Sequence, residues 1–136
     1  MIFCEIDQEL VNIIKKYANG KIIVDVGCGD GLLGSLIKDI ISIDLFYRDT
    51  ELINDIIHMD AVQFPFDGEK TLPVFIRPCH GHFVDSILQK HKNNLKDCLY
   101  ISMPHNVEYD IDEEFDIQQV EDWVGNDGER VYHIMF

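Results

Sequence analysis

Apolar positions recur at helical spacing over residues 6–18, where Ile6, Leu10, Ile13, Ile14 and Tyr17 share one face and Asn19-Gly20 supplies a stop. The pattern then changes to short apolar, β-branched runs of the kind buried on both faces of a sheet: IIVDV (22–26), IISID (40–44), IIHMD (56–60), LPVFI (72–76) and CLYIS (98–102). Helical spacing returns between them. Leu32, Leu33, Leu36 and Ile37 predict a helix packed on the sheet, residues 50–55 a short one, and Val84, Ile87, Leu88 and His91 the face of a third. Met103-Pro104 breaks the fifth run. Beyond an acidic loop, residues 115–124 and 130–136 flank Gly-Asn-Asp-Gly, a hairpin signal. Strands alternating with helices, then a terminal hairpin, predict a doubly wound α/β fold whose parallel sheet carries one antiparallel strand near its edge.

The first strand ends in an unusual way. It carries an acid, Asp25, and glycines follow at 27, 29, 31 and 34. Two fingerprints overlap: Gly29, Gly31 and Gly34 spell G-x-G-x-x-G, while Asp25, Gly27, Gly29 and Gly31 spell D-x-G-x-G-x-G. Either lets a strand turn sharply into a helix and a ligand approach bare backbone. In the dinucleotide pattern the first glycine ends the strand and the helix opens at once. That role would fall to Gly29, past Val26, leaving Gly27 unused. The second pattern uses every feature. Its acid disfavours a pyrophosphate and suits a cationic amino-acid group. S-adenosylmethionine is thus the favoured ligand, a nicotinamide cofactor the lesser reading, and a ligand-free tight turn the plainest.

Size and charge narrow the choice. A chain of 136 residues with 46% hydrophobic content fits one domain with a true core. No apolar run is long enough for a membrane span, and the N-terminal stretch does not read as a secretory signal. Cys4, Cys28, Cys79 and Cys98 form no CxxC pair, which predicts reduced thiols and a cytoplasmic setting. The formal charge of −14 argues against nonspecific nucleic-acid binding. Ten of the 25 acids fall between Glu108 and Glu129, a solvated face or a surface for a basic partner.

With these residues in view, the chain resembles the class I S-adenosylmethionine-dependent methyltransferases. VDVGCGDG (24–31) is similar to that family's first cofactor motif. Asp44, 19 residues after Asp25, matches the family's ribose-binding acid, a task suited to a carboxylate because it accepts from two hydroxyls at once. Asp60-Ala61 matches the adenine-reading pair, and DAVQFPF resembles the DA…LPF phrase of the small-molecule branch. The resemblance covers residues 20–104 and implies one methyltransferase-like domain over 1–136 with strand order 3-2-1-4-5-7-6. It implies cofactor contacts from Asp25, Gly27, Cys28, Gly29 and Gly31, from Asp44 and Leu45, and from Asp60 and Ala61. Singly, Asp44 and Asp60 also read as a helix N-cap or a loop acid.

Methyl transfer is an in-line displacement that needs alignment and exclusion of water, with a base only for a protonated acceptor. The acceptor is expected just beyond the fourth strand, at RPCHGHF (77–83). His80 and His82 are the catalytic candidates there, as base or substrate-positioning groups; a helix cap and turn is the structural alternative. A metal site from Cys79, His80 and His82 is disfavoured by tight spacing. Pro78-Cys79 resembles the nucleophilic pair of cytosine-carbon methyltransferases without the rest of that family's features. Pro104-His105 is a further pocket-lining candidate. The connections at 61–71 and 104–114 are short, so the acceptor side is expected to be open, and KTLPVF (70–75) lacks the acid that the resembled family commonly places before its fourth strand. Three explanations fit an open side: a large substrate forms the lid, a partner subunit or second copy supplies it, or the chain is a catalytically inactive cofactor-binding or scaffolding module.

Overall fold

The computed structural model describes residues 4–78 and 81–136. Helix α1 (Gln8–Ala18) starts where the Asp7 carboxylate accepts from the Leu10 N–H at 2.8 Å and ends at Asn19, which adopts a left-handed conformation (φ 48°). Its apolar face, Leu10, Val11, Ile13, Ile14 and Ala18, is buried as the spacing predicts.

The strands are β1 (Ile22–Val26), β2 (Ile41–Asp44), β3 (Ile56–His58), β4 (Thr71–Ile76), β5 (Asp97–Ser102), β6 (Asp116–Val120) and β7 (Arg130–Met135). They form one seven-stranded sheet in the order β3-β2-β1-β4-β5-β7-β6. Only β7 runs against its neighbours, pairing antiparallel with β5 and β6. The doubly wound fold and strand order therefore agree with expectation.

Alternation explains the continuous apolar runs. Ile23, Leu72, Val74, Leu99 and Ile101 face one core with α1, whereas Val24, Val26, Phe75 and Tyr100 face the other with helix α3 (Phe83–His91). Val84, Ile87, Leu88 and His91 of α3 are all buried, the face read from the sequence.

Three elements depart from expectation. The predicted helix at 50–55 does not form; the segment is a loop whose Leu52 N–H donates to the Asp30 carbonyl at 2.6 Å and whose Ile53 packs on the glycine turn. Short polar residues there (Asp49, Thr50, Asn54, Asp55) disfavour helix, and tertiary contacts take the backbone. Helix α2 (Leu32–Leu36) is only five residues long. Gly34 and Ser35 weaken it, with Ser35 Oγ donating to the Leu32 carbonyl at 2.6 Å, and Leu36 is 46% exposed rather than packed on the sheet. Conversely, part of the expected acidic loop is helix α4 (Pro104–Asp110), with Pro104 in its first turn. Asn106 Nδ2 donates to Ser102 Oγ at 2.8 Å and Tyr100 Oη to Asp110 Oδ2 at 2.9 Å, which ties α4 to the end of β5.

Candidate functional site

A cleft of about 610 Å³ opens along the carboxyl ends of β1, β2 and β4. It lies at the strand-order reversal between β1 and β4, where open α/β sheets bind ligands. Its size suits a drug-sized ligand.

The glycine turn makes one wall. Gly27 and Cys28 donate their N–H groups to the Ile43 carbonyl at 2.8 and 2.9 Å, holding the turn against β2. Gly29 adopts φ 62° beside open space and donates its N–H to Asp44 Oδ2 at 2.8 Å. Gly31 is different in kind. It caps α2 at φ 89°, does not line the cleft, and a Cβ there would lie 2.8 Å from Ile53. Its place is therefore explained by packing. Gly34 likewise faces Ile53, at 2.7 Å from a built Cβ, so the G-x-G-x-x-G spacing reflects close helix–loop contact.

Asp25 and Asp44 supply the charge. Asp25 is 4% exposed, lines the cleft and accepts no hydrogen bond from the described residues. Burial, reinforced by the charge of Asp44, pushes its carboxyl up to about 7. Asp44 is 6% exposed and fixed at both oxygens, Oδ2 by Gly29 and Oδ1 by the Phe46 N–H at 2.9 Å. Each oxygen keeps acceptor capacity for an incoming hydroxyl. The Cys28 thiol, on the same wall, is half-buried, and burial, with Asp25 and Asp44 adding to it, pushes it up to about 12, which makes it a wall and not a nucleophile.

The third strand end adds Asp60 and Ala61. Asp60 Oδ1 accepts from the Val62 N–H at 3.0 Å and caps a short 3-10 turn (Ala61–Gln63), so the capping alternative holds while Asp60 also lines the cleft. Leu45 and Ala61 line it too. Of the catalytic candidates, His82 is an exposed residue at the cleft edge, standing just before α3 and making no capping bond. His80, with Cys79, lies outside the described residues. Pro104-His105 does not line the cleft, because Pro104 starts α4 and His105 is exposed.

Sequence reasoning missed the residues that cover the cleft beyond β4. Arg77 follows β4 with a left-handed backbone (φ 45°), a conformation costly for a side-chain-bearing residue and common at functional sites. It lines the cleft, and its Nη1 meets Glu129 Oε2 at 3.0 Å and Asp127 Oδ2 at 3.5 Å. Glu129 is fully buried. Burial alone would raise its carboxyl, but backbone N–H donors, Arg77 and Cys4 outweigh that and hold it below the ordinary range. The segment 4–7 crosses to the same hairpin turn: Glu5 N–H donates to Asn126 Oδ1 at 2.9 Å and Trp123 Nε1 to Asp7 Oδ1 at 3.0 Å. Cys4 and Ile6 thereby become cleft wall. The short connections led to an open site being expected, but the cleft beside Arg77 is partly closed by the chain itself. Contacts 52 and 116 residues apart in sequence leave no local signal; a lone Arg before Pro-Cys at a strand end was the available hint.

The chain matches no protein-family model and no curated protein by sequence. Its fold has clear relatives among solved structures. It is similar to the 23S rRNA methyltransferase ErmE at 13% identity over 98% of this chain and 69% of that one, with a TM-score of 0.66. It is similar to the Burkholderia thailandensis 1,6-didemethyltoxoflavin-N1-methyltransferase, solved with its namesake compound and S-adenosylhomocysteine, at 11% identity over 94% and 76% of the two chains (TM-score 0.61). Magnesium protoporphyrin IX methyltransferase from Synechocystis PCC 6803, solved with bound SAM, matches at 11% identity over 93% and 76% (TM-score 0.55). At these identities the likeness establishes architecture: the chain has the fold of the class I S-adenosylmethionine-dependent methyltransferases.

Proposed function

We propose that this chain binds S-adenosylmethionine in the cleft and transfers its methyl group to a small-molecule or protein acceptor. The observation that carries this reading is Asp25, a buried carboxylate on the cleft wall with no donor among the described residues. A buried acid without a partner costs free energy that an ammonium group would recover. Asp25 therefore faces the amino-acid end of the cofactor. Asp44 accepts from the ribose hydroxyls, and Asp60 with the Ala61 backbone reads the adenine beside Leu45. Gly27, Cys28 and Gly29 let the ligand lie against backbone, while Gly31 sets the angle at which α2 leaves. The structural relatives solved with S-adenosylmethionine or S-adenosylhomocysteine support the same reading.

The cofactor supplies a methyl group already activated by its sulfonium. The chain's task is then alignment and dryness. Ile6, Ile76 and Phe83 exclude water on the acceptor side. His80 and His82 are the base or positioning candidates for an acceptor that arrives protonated. The formal net charge of −14 favours a non-nucleic-acid acceptor. Incubation with radiolabelled S-adenosylmethionine and a panel of small molecules and proteins tests transfer directly. Label reaching an acceptor, with S-adenosylhomocysteine released in equal amount, supports the enzyme. Tight cofactor binding with no transfer to any panel member would favour the inactive binding module instead.

A further inference from the structure

The acceptor end of the cleft has a composition of its own. Ile6, Ile76, Pro78 and Phe83 give it apolar walls, and Phe83 also packs 3.6 Å from where a Gly27 Cβ would stand, joining those walls to the glycine turn. Arg77 stands among them with its side chain only 15% exposed, whereas His82 at the cleft edge is exposed. Among the described residues only the Nη1 of Arg77 finds side-chain partners, and none of them accepts from the N–H donors of Nε and Nη2. Its charge, by contrast, is already balanced by Glu129 and Asp127. An arginine in this state offers hydrogen bonds without surplus positive charge. The neighbouring Asp25 and Asp44 make an incoming anion still less welcome.

We propose that Arg77 is the residue that determines acceptor specificity, donating to a neutral polar group, a carbonyl or ring nitrogen, on a small acceptor with an apolar body. The segment 4–7 and the turn bearing Trp123, Asn126 and Glu129 hold it there and close the site around such a molecule. This rests on the cofactor reading above and adds the class of acceptor to it.

The test uses the full chain saturated with S-adenosylhomocysteine and three probes that share a phenyl body: benzamide (neutral carbonyl), benzoate (anion) and benzylamine (cation). Binding is read by NMR from the methyl groups of Ile6 and Ile76 and from the indole N–H of Trp123, the chain's one tryptophan. Benzamide is expected to bind at least five-fold more tightly than either charged probe. Removing Arg77 alone strands the buried Glu129, so the decisive variant is the double substitution Arg77→Met with Glu129→Gln, paired with Arg77→Lys, which keeps the charge but loses the fork. Both should weaken benzamide at least ten-fold while leaving S-adenosylhomocysteine affinity within two-fold of wild type. Benzoate binding as tightly as benzamide would overturn the neutral-acceptor assignment. Unchanged benzamide affinity in a folded variant would remove Arg77, and no response to any probe would remove the acceptor wall. Failure of wild type to bind S-adenosylhomocysteine is a separate result, which overturns the cofactor reading and the acceptor site with it.

Discussion

Asp25→Asn should make the ligand-free protein more stable and the cofactor bind more weakly. In wild type the carboxyl titrates at about 7 in the fold against an ordinary value of 3.8. The sign follows from proton counts. Between those values the unfolded chain has lost the Asp25 proton and the native state retains it, so stability falls as pH rises through that window. At about 1.4 kcal/mol per pH unit, the interval corresponds to roughly 4 kcal/mol of destabilisation once both states are ionised. A buried asparagine amide without partners gives back about 1–3 kcal/mol of that. The variant should therefore be about 1–3 kcal/mol more stable than wild type at pH 8, and the difference should vanish or reverse near pH 4. Binding moves the other way. An ammonium group that needs ionised Asp25 binds wild type about ten-fold more weakly at pH 6 than at pH 8. The variant should show a flat profile over that range, at an affinity about 10- to 100-fold below the wild-type plateau. Urea unfolding and calorimetric titration with S-adenosylhomocysteine at pH 4, 6 and 8 measure both. A variant less stable than wild type at pH 8, or a wild-type affinity independent of pH, would refute the reasoning.

Asp44→Ala removes the acceptor for the Gly29 and Phe46 N–H groups and for the ribose, and should weaken S-adenosylhomocysteine binding by about 1–3 kcal/mol; unchanged affinity in calorimetry would remove the ribose assignment. Gly31→Ala meets Ile53 at 2.8 Å and a left-handed backbone at once, and should cost about 1–3 kcal/mol in urea unfolding. Pairing it with Ile53→Ala relieves the clash and should recover part of that loss. His80→Ala should leave cofactor affinity intact while slowing transfer to any acceptor found, and a variant as fast as wild type would return His80 to a structural role. His82→Ala makes the same comparison for the neighbouring histidine.

The sheet was legible because a strand buried on both faces is written locally, as in Ile22–Val26, whose bounds match the apolar run itself. The acids of the cleft wall were legible for a similar reason: Asp25, Asp44 and Asp60 each stand at or just past a strand end, and topology alone gathers strand ends at one edge. Helix α4 was written too, in Pro104 at a helix start, but the same proline reads equally well as a strand breaker. What stayed hidden depends on distant contacts. The loop at 50–55 yields its helical tendency to Asp30 and Gly31, α2 is shortened where Gly34 must admit Ile53, and the cover over the Arg77 end of the cleft exists because Trp123 reaches Asp7 and Glu129 reaches Arg77. Pair contacts of that kind carry no period and no motif.

Calorimetric titration of the purified wild-type chain with S-adenosylmethionine, S-adenosylhomocysteine and NAD, side by side at pH 8, tests the cofactor assignment most directly. Micromolar binding of the first two and none of NAD is the expected result. Binding of NAD alone, or heat from none of the three, would contradict it and leave the glycine turn and Asp25 without the ligand assigned to them.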